Sequence, residues 1–157
     1  MAKLSETPSI ENKAQSIVQQ FTQLKSNSGD ETEWELKYEK IIQMGKSWPG
    51  MTDQDKIEDL KLKGCQSQVW LKAQLNDSQE IVFLGDSDAI LVRGLVALVI
   101  SVYSHERPDV IMSFEPHFLK ELGLDSGLSP SRANGLFSMI KQIKYYALAY
   151  NTLTQTK

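Results

Sequence analysis

Val69-Trp70-Leu71-Lys72-Ala73-Gln74-Leu75-Asn76-Asp77-Ser78-Gln79-Glu80-Ile81-Val82-Phe83-Leu84 is the stretch on which the fold turns. In its first half Val69, Leu71, Ala73 and Leu75 alternate with Trp70, Lys72 and Gln74. Successive side chains of a strand point to opposite faces, so this alternation predicts a half-buried strand. Asn76-Asp77-Ser78 has turn chemistry. Ile81, Val82, Phe83 and Leu84 form a second, more buried strand. A link this short joins the two as an antiparallel hairpin.

Downstream, Gly85-Asp86-Ser87-Asp88 reads as a cap for a helix that starts near Asp88 and runs to about Tyr103. That helix is apolar on most faces, which predicts a central buried helix packed on the sheet. Arg107-Pro108 ends it, and short helices are expected over residues 108–112 and 116–122. Gly123 suits a position just past a helix C-terminus. Ser129-Pro130 is an N-cap followed by proline at the first helical position, opening a last helix to about Tyr150.

Upstream, Ile10, Ala14, Ile17, Val18, Phe21 and Leu24 recur at helical spacing. Ser26-Asn27-Ser28-Gly29 is a loop signature. Asp30 is placed to cap a second helix, with Glu31 and Glu33 in its first turn. Its stripe is Trp34, Leu36 or Tyr38, Ile41, Ile42 and Met44. Two such helices joined by a short polar loop suggest a helical hairpin. Trp48-Pro49-Gly50 closes that unit, and residues 51–63 read as an irregular connector with a short strand at its end. Residues 1–7 read as a frayed end. The order of helices, strands and more helices is that of an α+β fold with an antiparallel sheet, in one domain over residues 1–157.

A chain of 157 residues can bury a core without disulfide or metal staples. Its net charge of −3 offers no basic face for a phosphate backbone, so no nucleic acid is expected as partner. Residues 1–20 lack the apolar run of a signal peptide, and Glu6 and Glu11 make them too acidic for a transit peptide. The apolar run over residues 89–102 is broken by Arg93 and is too short to span a bilayer, so no membrane is expected either. The expected location is cytoplasmic, or an organelle for a mature form. With one cysteine no intramolecular disulfide is possible, which fits a reducing compartment. Only His105 and His117 could join Cys65, too few for a four-ligand zinc site, so no metal is expected.

Cys65 stands in Gly64-Cys65-Gln66-Ser67-Gln68, between the charged connector and the first strand. A lone cysteine is most often a small buried hydrophobe. This one lies outside any apolar run, beside a glycine that permits a tight turn. Gln66, Ser67 and Gln68 can donate hydrogen bonds to a thiolate or persulfide anion. No histidine lies near in sequence, which speaks against a Cys-His hydrolase. Arg132, in the first turn of the last helix, reads either as a surface arginine paired with a carboxylate or as part of an anion-friendly patch. Capping accounts for Asp86, Ser87 and Asp88 without a carboxylate pair for acid–base work. Tyr145, Tyr146 and Tyr150 read as a packing face. There is no glycine-rich phosphate loop and no GxSxG elbow.

Four blocks in order, Gly64-Cys65-Gln66-Ser67-Gln68-Val69-Trp70, Gly85-Asp86-Ser87-Asp88-Ala89, Arg93-Gly94-Leu95-Val96-Ala97, and Leu128-Ser129-Pro130-Ser131-Arg132 with Asn134-Gly135-Leu136, give the chain a clear likeness. It resembles the SufE/CsdE family of cysteine desulfuration proteins over nearly its whole length, with residues 51–63 the least diagnostic. The resemblance implies an α+β fold similar to that of the iron–sulfur scaffold IscU. It implies that Cys65 takes sulfur from the persulfide of a SufS-type cysteine desulfurase, stimulates that enzyme, and delivers sulfur to iron–sulfur cluster assembly, typically at a SufBCD scaffold. The pyridoxal phosphate (PLP) in that scheme belongs to the desulfurase, and the chain itself needs no cofactor. On this reading the protein is a covalent sulfur-transfer partner rather than a stand-alone enzyme, as monomer or homodimer. Two other readings are an iron–sulfur or metal scaffold, against which one cysteine and two distant histidines argue, and a small thiol enzyme that turns over without a partner.

Overall fold

The computed structural model describes residues 9–25, 29–63 and 67–155. Its order is α1 (Ile10–Thr22), α2 (Glu33–Ser47), β1 (Val69–Leu75), β2 (Ile81–Ser87), α3 (Ile90–Tyr103), α4 (Pro108–Ser113), α5 (His117–Glu121), α6 (Leu124–Gly127) and α7 (Pro130–Gln155). The fold is α+β, with a two-stranded antiparallel sheet. Val69 pairs with Ser87 and Leu75 with Ile81, so β2 continues past Leu84 through Gly85, Asp86 and Ser87, residues that read from the sequence as a helix cap. The side chain of Asn76 shapes the turn, its Oδ1 accepting from the backbone N–H of Ser78 and Glu80, both at 2.9 Å. Gln79 completes the reversal with φ 66°.

The helix α3 is the centre of the molecule. Gly94 to Ile100, Val102 and Tyr103 are all buried, because the run is apolar all round and has no face that favours water. The sheet, α1, α2 and α7 all pack on it. The contact between α2 and α3 is backbone against backbone. A methyl group on Gly94 would overlap the carbonyl of Ile41, and one on Gly45 would stand 2.8 Å from the Ile90 carbonyl. This close crossing replaces the expected hairpin of the first two helices. α1 packs instead on α3 and α5.

Three further expectations are corrected. The N-cap of α2 is Thr32, not Asp30. Thr32 and Glu35 form a reciprocal capping box, with Glu35 N to Thr32 Oγ1 at 3.1 Å and Thr32 N to Glu35 Oε1 at 2.7 Å. The strand expected at the end of the connector is a single bridge, Lys61 to Trp70, preceded by a 3₁₀ turn at Glu58–Leu60. The last helix runs five residues beyond Tyr150, to Gln155.

Both edges of the hairpin are occupied. On the β1 side the hydroxyls of Tyr146 and Tyr150, from α7, donate to the carbonyls of Leu71 and Ala73, each at 3.3 Å. On the β2 side Ile81 N donates to Glu106 O at 2.9 Å, and Phe83 N to Ser104 Oγ at 2.9 Å. No helix among the described residues is long and apolar enough to cross a membrane.

Candidate functional site

β1 is entered through Ser67 and Gln68, whose position is fixed by Asp88 at the far end of the hairpin. Gln68 N donates to Asp88 Oδ1 at 3.0 Å and Gln68 Nε2 to Asp88 Oδ2 at 3.3 Å, while Asp88 N donates back to Gln68 O at 3.3 Å. Asp88 thus clamps the entry to β1 and does not cap α3. The actual N-cap of α3 is Ala89, whose side chain makes no cap bond.

Beside Ser67 lies a cavity of about 190 Å³. Its apolar wall is Val69 from β1, Val92, Leu95 and Val96 from α3, and Leu136 and Met139 from α7. Its polar rim is Ser67, Ser129, Ser131 and Arg132. A dry cavity of ~150 Å³ accommodates benzene, so this one has room for a side chain or a small transferred group. The rim sits on the first turn of a long helix. Ser129 accepts the first α7 bond from Ala133 N at 2.9 Å, the N-cap role expected for it. Helix N-termini and guanidinium groups both favour anions. Arg132 is exposed, and no carboxylate among the described residues forms an ion pair with it. Of its two readings, the surface ion pair is therefore not the one found.

The structure brings Ser67 and Arg132, sixty-five residues apart in sequence, to one cavity. Gln68 lies just outside it, on the Asp88 clamp. Gly64, Cys65 and Gln66 lie outside the described residues. Cys65 stands two residues before Ser67 in the chain. Sequence reading missed the far wall. The signal was present as Arg132, Gly135, Leu136 and Met139, a stripe at i, i+3, i+4 and i+7 that starts at the helix cap.

Behind the clamp is a buried ionic centre. The side chain of Asp86 is only 2% exposed and accepts from Met51 N at 2.9 Å, Ser87 N at 2.8 Å and Arg93 Nη1 at 2.9 Å, with Lys56 Nζ at 3.2 Å. Burial pushes this carboxyl up. The two backbone donors, Lys56 and Arg93 outweigh that and hold it below the usual aspartate value. Arg93 also donates to Gly45 O at 2.9 Å and to Trp48 O. Gly50 passes so close, with φ +71°, that a Cβ there would meet Asp86 Oδ2 at 2.5 Å. Lys56 stands over the Trp70 ring, 5.6 Å from its centre. Asp86 therefore straps the connector to the end of the hairpin that leads into Ser67. The capping role expected for Asp86 is overturned, because its partners come from residues 51, 56 and 93. Trp70 faces this centre and not the cavity. His105 and His117 are both exposed, and no cluster of three His, Cys, Asp or Glu side chains suited to a metal occurs among the described residues.

Comparison with known proteins agrees with this architecture. The family model for SufE, the Fe-S metabolism associated domain, matches residues 15–147. An uncharacterized SufE-like protein of Synechocystis sp. is 39% identical over 119 residues, 76% of this chain and 74% of that protein. The solution structure of a hypothetical protein from Thermus thermophilus superposes with a TM-score of 0.68, covering 89% of this chain and 96% of that one at 15% identity. At that identity the likeness is one of fold alone.

Proposed function

Because the chain belongs to the SufE family and so has a role in iron–sulfur metabolism, we propose that it carries sulfane sulfur on Cys65, taken from a PLP-dependent cysteine desulfurase of the SufS type. The observation that carries this reading is the cavity beside Ser67, two residues after Cys65, with its apolar wall and its Arg132 rim. A persulfide is consumed by small thiols and oxidants, so an apolar recess next to the carrier thiol is useful to it. A cation and a helix N-terminus at the rim favour the anionic sulfur over the neutral form.

The transfer is thiol–disulfide exchange. The Cys65 thiolate attacks the outer sulfur of the desulfurase persulfide, the S–S bond of that persulfide breaks, and the desulfurase cysteine leaves as a thiolate. Cys65 then holds the transferred sulfur as its own persulfide, with no net oxidation or reduction of the pair. A second exchange passes it to the recipient, of the SufBCD scaffold type. The Asp88 carboxylate near Ser67 is engaged by Gln68, and the scheme assigns the base to the desulfurase site. The chain itself takes no part in binding PLP or metal in this scheme.

The test is intact-mass analysis after incubation with desulfurase and cysteine. The expected result is a gain of sulfur that dithiothreitol removes, and no gain in Cys65→Ser. Equal stimulation of the desulfurase by Cys65→Ser and wild type would leave an activator without a carrier role. Turnover of a small substrate with no protein partner would favour a thiol enzyme.

A further inference from the structure

The outward face of α7 combines two properties. The first is exposed apolar area. Six large hydrophobic side chains are markedly exposed among the described residues, and four of them, Phe137, Tyr145, Leu148 and Leu153, are on this one helix. Phe137, Lys141, Lys144, Tyr145 and Leu148 follow at helical spacing and form one wall of an open groove of about 570 Å³, whose other wall is Met112, Glu115 and Pro116 beside α4. A helix in contact only with water does not hold such a stripe by chance of composition.

The second is charge. The chain carries 17 basic and 20 acidic side chains, yet residues 126–157 include Arg132, Lys141, Lys144 and Lys157 and no acidic residue at all. Lys144 is committed to Phe114 O at 2.7 Å and Glu115 at 3.7 Å. Lys141 is exposed and has no ion-pair partner among the described residues. It also stands, with Tyr145, on the ridge between this groove and the hollow lined by Asp59, Lys61, Leu62 and Lys63. The surface therefore runs without a break from the groove to the end of the connector.

We propose that this groove docks an amphipathic helix of a partner protein, apolar on the side that meets Phe137, Tyr145 and Leu148 and acidic where it meets Lys141. A second copy docked by the same face is disfavoured, because each groove carries net positive charge, Lys141 and Lys144 against Glu115. This inference stands apart from the chemistry of Cys65 and is tested without sulfur transfer.

The probe is a designed amphipathic helical peptide with leucines along one face and glutamates flanking them, against a twin with lysines in place of the glutamates. Amide shifts of the isotope-labelled protein are followed on titration. The expected result is movement at Met112, Phe137, Ile140, Tyr145 and Leu148 with the acidic peptide, weakened by salt and at least about fivefold weaker with the lysine twin. Lys141→Glu should reverse the preference, and Phe137→Ser should abolish binding with the melting temperature kept. Equal binding of both peptides, no binding, or shifts confined to Ser67 and Arg132 would each overturn the proposal. So would shifts at the groove on concentrating the protein alone, which mean a second copy. Binding of anionic vesicles through these residues in preference to the peptide would also overturn it, in favour of a membrane surface.

Discussion

Replacing Asp86 with asparagine keeps the shape of the side chain and removes its charge. Arg93 and Lys56 then lose their shared carboxylate, while Met51 N and Ser87 N compete for one carbonyl oxygen in place of two carboxylate oxygens. Removing one member of a buried ionic cluster costs ~3–5 kcal/mol. Arg93 and Lys56 are 26% and 27% exposed and can regain some water, which places this case at the low end, about 3 kcal/mol. For a chain of 157 residues that lowers the melting temperature by roughly 6–12 °C. The sign of the pH dependence follows from the carboxyl, which is held below its ordinary value when folded. Its stabilisation is complete above the unfolded aspartate value of ~3.9 and is lost as pH falls through the folded value. Urea melts followed by tryptophan fluorescence should therefore show a constant gap between wild type and Asp86→Asn from neutral pH down to about pH 5, closing below about pH 4. A gap under about 1 kcal/mol at neutral pH, or one that stays open once the wild-type carboxyl is protonated, would refute the ionic account.

Gly94→Ala should force α2 off α3 and cost at least ~1–3 kcal/mol in thermal melts, although alanine is the better helix former. Asp88→Ala removes both bonds to Gln68; it should raise the native labelling rate of Cys65 by up to about fivefold, from a loss of ~1 kcal/mol, with little change in melting temperature. Arg132→Ala should leave stability within about 0.5 kcal/mol, because the side chain is exposed and has no ion-pair partner among the described residues. It should also slow sulfur uptake about two- to fivefold in single-turnover mass measurements, the effect of an exposed cation beside an anion; an unchanged uptake rate would remove Arg132 from the site.

The hairpin and the helices around it are legible in the sequence because their patterns are local. Alternation over residues 69–75 needs no knowledge of what the strand packs on, and neither does the all-apolar run of α3. The misreadings share one cause. Asp86 looks like a cap because caps and strand-end aspartates have the same flanks, and the partners that distinguish them come from residues 51, 56 and 93. The first two helices look like a hairpin until Gly45 and Gly94 show that α2 belongs to α3. At the site, Cys65 and Arg132 were visible as residue types, whereas the cavity that Arg132 shares with Ser67 depends on α3 and α7 converging from distant parts of the chain.

The tyrosine bonds on β1 bear on how safely this protein is made. A two-stranded sheet offers two open edges, and an open edge invites pairing with another chain. The β2 edge is closed by residues 104–106, soon after the hairpin itself in chain order. The β1 edge is closed by Tyr146 and Tyr150, which emerge from the ribosome some seventy-five residues after the carbonyls they cover. Until α7 arrives, that edge is open beyond Val69, whose carbonyl is covered by Leu62 N at 2.8 Å. Tyr146→Phe with Tyr150→Phe should therefore damage soluble yield during synthesis more than it damages the stability of the finished protein.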